Sequence, residues 1–137
     1  MVSFYFGEFM SGKILEELID IFQPNGIDWL GDNISEDNPI TYHHIVKKAC
    51  GGRKSLDNGA LLTKRSHKYL HSILEQKNYE TYLKLNDCFK ELNKTKQPPT
   101  NDYYINVHTI LNGSTLTDPF EQTKTYKREM INHGKKM

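Results

Sequence analysis

From Lys13 onward, apolar residues recur at Ile14, Leu15, Leu18, Ile19 and Phe22. That spacing places them on one face of an amphipathic helix, with Ser11 as its expected N-cap. The helix is expected over about 12–23, ending before the breaker Pro24-Asn25-Gly26. Upstream, VSFYFGEF alternates aromatic residues and predicts a short strand. Residues 27–39 predict an acidic loop that Trp29 and Leu30 pin to the core. From Pro39 the pattern changes. ITYHHI is β-branched and aromatic, which predicts a strand. KKACGGRKSLDNG predicts a loop with tight turns at Gly51-Gly52 and Asn58-Gly59. ALLTKR predicts a second strand, after which Ser66 is expected to cap a helix starting near residue 67. A longer helix follows from about 78, with Tyr82, Leu85, Phe89 and Leu92 as its buried stripe. Gln97-Pro98-Pro99-Thr100 ends it. DYYINVHTIL predicts a strand through Tyr104 and Val107, NGSTLTDPF a loop, and EQTKTYKREMINHGKKM a terminal helix fraying at Gly134.

This order predicts a single α+β domain over 1–137. Its centre is a ββα unit at about 40–75, surrounded by additional helices: the N-terminal helix and a helical and strand extension over 78–137. A length of 137 residues suits one domain. Hydrophobic residues make up 36% of the chain and the mean hydropathy is −0.69, a polar composition still able to build a core. No apolar run approaches a membrane span, and the opening MVSFYFGEFM lacks the basic and apolar regions of a secretory leader. Cys50 and Cys88 lie far apart with no CxxC pattern, which reads as reduced thiols in a cytoplasmic protein. Cys50, beside Gly51, is expected to be a small buried residue.

The net charge of +1 conceals an uneven distribution. Residues 1–39 hold eight acidic side chains against one basic, Lys13. Residues 40–74 hold seven basic side chains against one acidic, Asp57. Such a basic segment attracts phosphate backbones through Coulomb forces and counterion release. Arg53, Lys54, Lys64, Arg65 and Lys68 are the expected nucleic-acid contacts. Tyr42 and Tyr69 are expected to pack rather than to stack on bases. Glu8, Glu16 and Glu17 are expected on a solvated face.

Four of the six histidines fall within residues 41–71. His67 and His71 are four apart, so on a helix both imidazoles address the same side. Neutral imidazole is a ready ligand for transition metals. His43 and His44 are adjacent, and neighbouring strand residues face opposite ways. One can therefore bind an ion while the other does something else nearby. Metal-assisted hydrolysis needs that division: an ion to stabilise charge and a base to activate water. His108 and His133 have no partner at useful spacing and read as structural or exposed.

The set His43-His44, Asn58, His67 and His71, with Gly51-Gly52 and the run Asn58-Gly59-Ala60-Leu61-Leu62, resembles the HNH nuclease motif, or ββα-metal fold. The intervals are 14 residues from His44 to Asn58, nine to His67 and four to His71. They resemble most closely the histidine-rich branch typified by the colicin DNases. The resemblance implies that His43, His67 and His71 are metal ligands, His71 alternatively a phosphate contact. It implies that His44 is the general base and that Asn58 holds the His44 ring, by side chain or main chain. It also implies one divalent ion, with magnesium, manganese, zinc and nickel as candidates. An all-histidine set favours the softer ions in affinity. The CxxC pairs that bind a structural zinc in many members of the family have no counterpart in this sequence. The ββα unit is therefore expected to be held by the flanking helices.

The expected function is a metal-dependent endonuclease that hydrolyses DNA phosphodiesters to 5′-phosphate and 3′-hydroxyl ends, with RNA as the other candidate substrate. No base-reading module is apparent in the sequence, so a partner protein is one source of target specificity. No membrane partner is expected. Two alternatives stand beside this reading. One is a non-catalytic nucleic-acid-binding module with a structural metal site, for which a free imidazole at His44 has no use. The other is a toxin-type nuclease with an immunity partner, which normally travels with further domains. Phage, mobile-element and defence settings all accord with the resemblance.

Overall fold

A computed structural model of the chain describes residues 12–113. The strand and N-cap expected before residue 12, and the loop, helix and His133 expected beyond residue 113, lie outside the described residues. Helix α1 spans Lys13–Phe22 and buries Leu15, Leu18, Ile19 and Phe22, the face its spacing predicts. An irregular loop leads to strand β1, Ile40–His44. Strand β2, Gly59–Thr63, pairs antiparallel to it, with Ile40 opposite Thr63 and His44 opposite Gly59. Helices α2 (Lys64–Glu75), α3 (Tyr79–Thr95) and α4 (Asn101–Asn112) follow. The chain is an α+β fold.

A two-stranded sheet is marginal in water without a helix to cover it. Here β2 is buried along its whole length and packs against α1, α2 and α3. Leu61 and Leu62 meet a continuous core of Phe22, Trp29, Leu85 and Phe89. The Trp29 ring stands edge-on to Phe22 at 4.9 Å between centroids. This packing fixes the hairpin to the helix that follows.

The ββα order is as expected, but its corner is sharper. The second strand ends at Thr63 rather than Arg65, and α2 begins at Lys64 rather than near residue 67. Thr63, not Ser66, is the N-cap: its Oγ1 accepts from the Ser66 N–H at 3.1 Å. Ser66 lies inside the first turn, buried.

The stretch DYYINVHTIL is helix, not strand. Thr100 caps α4 by accepting from the Tyr103 N–H, and Asp102 sits favourably in the first turn. Tertiary contacts override the aromatic β propensity. Tyr103 Oη donates to Trp29 O at 2.7 Å and Tyr104 Oη donates to Asp28 O at 3.0 Å. Val107 is fully buried. No helix among the described residues is long and apolar enough to cross a membrane.

Candidate metal centre and active site

The loop between the strands is held by two side chains, Tyr42 and Asn58. Tyr42 Oη donates to Ser55 O at 2.8 Å and accepts from Ser55 N–H at 2.9 Å. Asn58 Oδ1 accepts from Val46 N–H at 2.7 Å, and its Nδ2 donates to Val46 O and Arg53 O. Gly51 turns the chain at φ 90°, and a Cβ on Gly52 would lie 1.8 Å from Val46 O. The first glycine thus supplies a left-handed turn and the second a close backbone approach. The role expected for Asn58 needs correction. Among the described residues its side chain ties Val46 and Arg53, and its carbonyl accepts from Ile45 N–H at 2.9 Å. Asn58 therefore fixes the backbone directly after His44 rather than the His44 ring.

The alternation of β1 separates the paired histidines. Tyr42 and His44 meet edge-on at 4.9 Å between ring centroids. His43 is buried beneath α3, where its Nε2 lies 3.0 Å from Asn86 Oδ1. His43 and His67 also meet edge-on at 5.3 Å, and His67 and His71 stack at 5.5 Å. Thus β1 and the first two turns of α2 bring three imidazoles into one row, with His44 alongside. All four line a cavity of about 240 Å³ whose wall also includes Lys47, Lys48 and Tyr82.

The electrostatics favour neutral rings. Burial holds His43 at about 4; the Asn86 contact opposes this, and the neighbouring imidazoles His67, His44 and His71 add to it. Burial also holds His67 at about 4, followed by repulsion from His71 and His44. Burial, then the Lys48 and Lys54 charges, lowers His44 from the ordinary imidazole value. Neutral imidazole is the form that ligates an ion or accepts a proton.

For nitrogen–metal bonds of about 2.0–2.1 Å in tetrahedral geometry, ligand ring centres lie about 5 Å apart. The observed separations of 5.3 and 5.5 Å match that span. The ring planes of His67 and His71 are only 21° apart, so the two lie side by side rather than converge. Among the described residues, no group of three or more His, Cys, Asp or Glu stands ready to hold an ion. His71 is exposed, so its ring is the least constrained of the three. In donor type and ring separation the imidazoles suit a late transition ion, while in orientation the His67 and His71 rings do not converge on one point.

The expected phosphate contacts divide. Arg53, Lys54, Lys64 and Lys68 are exposed. Lys54 lies over the Tyr42 ring, 5.5 Å from its centroid. Arg65 turns away from the cavity: its Nε donates to Asp32 Oδ2 at 3.0 Å and its Nη2 pairs with Asp32 Oδ1. Arg65 is a structural cation rather than the phosphate contact expected of it. Sequence reasoning passed over Lys47 and Lys48, which line the cavity. Their signal was position, a pair of cations just beyond the ITYHHI segment. Lys47 Nζ lies 5.6 Å from the centroid of the Tyr82 ring. Cys50 is exposed rather than buried, Cys88 is buried, and both are free thiols.

Comparison with protein-family models, with curated proteins and with solved structures found no match for this chain.

Proposed function

We propose that this chain is a metal-dependent HNH-type endonuclease that hydrolyses phosphodiester bonds of DNA. The observation that carries the reading is the cavity that gathers His43, His67 and His71 in a row and sets His44 and two lysines on its wall. His43, His67 and His71 would hold one divalent ion. When bound, that ion supplies charge stabilisation for the phosphoryl and leaving oxygens. Lys47 and Lys48 draw the phosphate in by charge. His44, neutral and on the wall of the same cavity, accepts the proton of the attacking water. Asn58 keeps His44 at the cavity by fixing the chain that follows it. A purely structural metal site would leave the His44 imidazole and the adjoining lysines without a task.

The test is nicking of supercoiled plasmid by purified protein with manganese, nickel, zinc or magnesium, with and without EDTA. Cleavage should require the ion and fall at least about 10²-fold in His44→Ala, the low end for losing a general base. Equal cleavage by His44→Ala would sink the assignment. DNA binding by both proteins without ion-dependent cleavage would favour the non-catalytic module. A parallel reaction on RNA separates the two substrates.

A further inference from the structure

Buried His43 and half-buried His67 each make one hydrogen bond outside the row, and those bonds have a definite polarity. Thr41 Oγ1 lies 2.8 Å from Leu62 O and 2.9 Å from His67 Nδ1. Two oxygens that close require a proton between them, and a carbonyl carries none. The single Thr41 hydroxyl proton therefore goes to Leu62 O. Thr41 Oγ1 is left to accept, which requires the proton of His67 on Nδ1. At His43 the neighbour is Asn86 Oδ1, 3.0 Å from Nε2. With Oδ1 on that side Asn86 can only accept, which places the proton of His43 on Nε2.

We propose that Asn86 and Thr41 are positioning residues that lock His43 and His67 in opposite neutral tautomers. His43 then offers Nδ1, and His67 offers Nε2, as lone-pair nitrogens of one cation site. The inference builds on the nuclease reading for its purpose but not for its measurement. Asn86 lies on α3, outside the ββα unit, so the helix that packs the hairpin also selects the donor atom of its buried histidine. Fixing the ligand tautomer through such partners typically alters metal affinity about 10–100-fold.

Long-range nitrogen–proton NMR of the metal-free, uniformly ¹⁵N-labelled full chain at neutral pH reads each tautomer directly. His43 should show the Nε2-protonated pattern and His67 the Nδ1-protonated pattern. The same tautomer at both rings, or the two reversed, overturns the inference whatever the nuclease assay shows. Thr41→Val should release His67 from its tautomer and weaken cobalt binding about tenfold or more, while Thr41→Ser, which keeps the hydroxyl, restores both. Asn86→Leu should do the same to His43, with Asn86→Asp restoring the tautomer. Unchanged tautomers in folded Thr41→Val and Asn86→Leu also refute the proposal. If the wild-type pattern holds but no plasmid is cleaved, the nuclease reading fails and the positioning roles stand.

Discussion

Two polar clusters flank the same hairpin, and they differ in where their polar groups point. At the Thr63 end, Asp28 and Asp32 are fully buried and turned inward. Asp28 Oδ1 accepts from the Leu30 and Asp32 N–H groups and Oδ2 from the Thr63 N–H at 2.7 Å. Asp32 Oδ2 accepts from Thr63 Oγ1, Asn38 Nδ2 and Arg65 Nε. At the His44 end, imidazoles and lysines line an open cavity. Buried charge is costly unless its partners are supplied within the fold. The acidic cluster meets that condition and reads as a weld between the 27–39 loop and the α2 corner. The histidine cluster instead lines a cavity with imidazoles that carry no charged partner within the fold.

The contrast can be broken most severely at His44. His44→Ala should lose at least about 10²-fold of ion-dependent nicking yet shift the urea midpoint little, because the ring is only partly buried. A large loss of stability instead would move His44 into the structural class.

Asp32→Ala should behave in the opposite way. It removes the carboxylate that pairs with Arg65 and accepts from the Thr63 hydroxyl, and should cost about 2–3 kcal/mol of folding stability, reduced from a fully buried pair because Arg65 is 30% exposed. Urea denaturation measures this. Folded Asp32→Ala should still bind cobalt, and loss of that binding without loss of stability would contradict the division of labour.

Acid sharpens the contrast in metal-free protein. An unfolded imidazole titrates near 6.5, whereas His43 and His67 are held at about 4. Between those values the unfolded chain binds more protons, so the histidine contribution is complete above about 6.5 and is lost as pH falls towards about 4. Asp28 runs the other way. Burial, then the Asp32 charge, raises it to about 6, so its proton favours the folded chain as pH falls through the same window. Two rings against one carboxyl predict a net fall in the urea midpoint on acidification. A midpoint that stays flat or rises would show that the imidazoles are not held neutral.

The smallest effects belong to the cations. Lys48→Ala should lower the salt dependence of DNA binding by about one released counterion. Lys68→Ala, exposed on α2, should leave stability within about 0.5 kcal/mol. Fluorescence anisotropy over a salt series distinguishes a cavity lysine from a merely solvated one.

The ββα unit was legible because its signals are local: β-branched strands, paired glycines, and histidines at helical spacing. The acidic weld was not. Asp28 and Asp32 sit in a run that reads as solvated, and the partner that buries Asp32, Arg65, lies 33 residues along the chain. Arg65 was misplaced for the same reason, since a cation beside a basic segment gives no sign of a distant carboxylate. Helix α4 was hidden by its tyrosines, whose hydroxyls anchor to the Asp28 and Trp29 carbonyls, although Thr100 and Asp102 already marked a helix start. Asn86 left a fainter trace. It falls one position after Leu85 on the buried stripe of α3, where an amide needs a polar partner.

Thr63 closes the hairpin, caps α2 and donates to Asp32, with no residue between strand and helix. The phase of α2 about its own axis is thereby set by the strand itself. One residue inserted after Thr63 would turn the helix by about 100° and swing His67 and His71 off the side that faces His43. Length variation is tolerable in the loop between the strands, where clamps can re-form, but at this corner a single added residue would dismantle the row of imidazoles while leaving every one of them in the sequence.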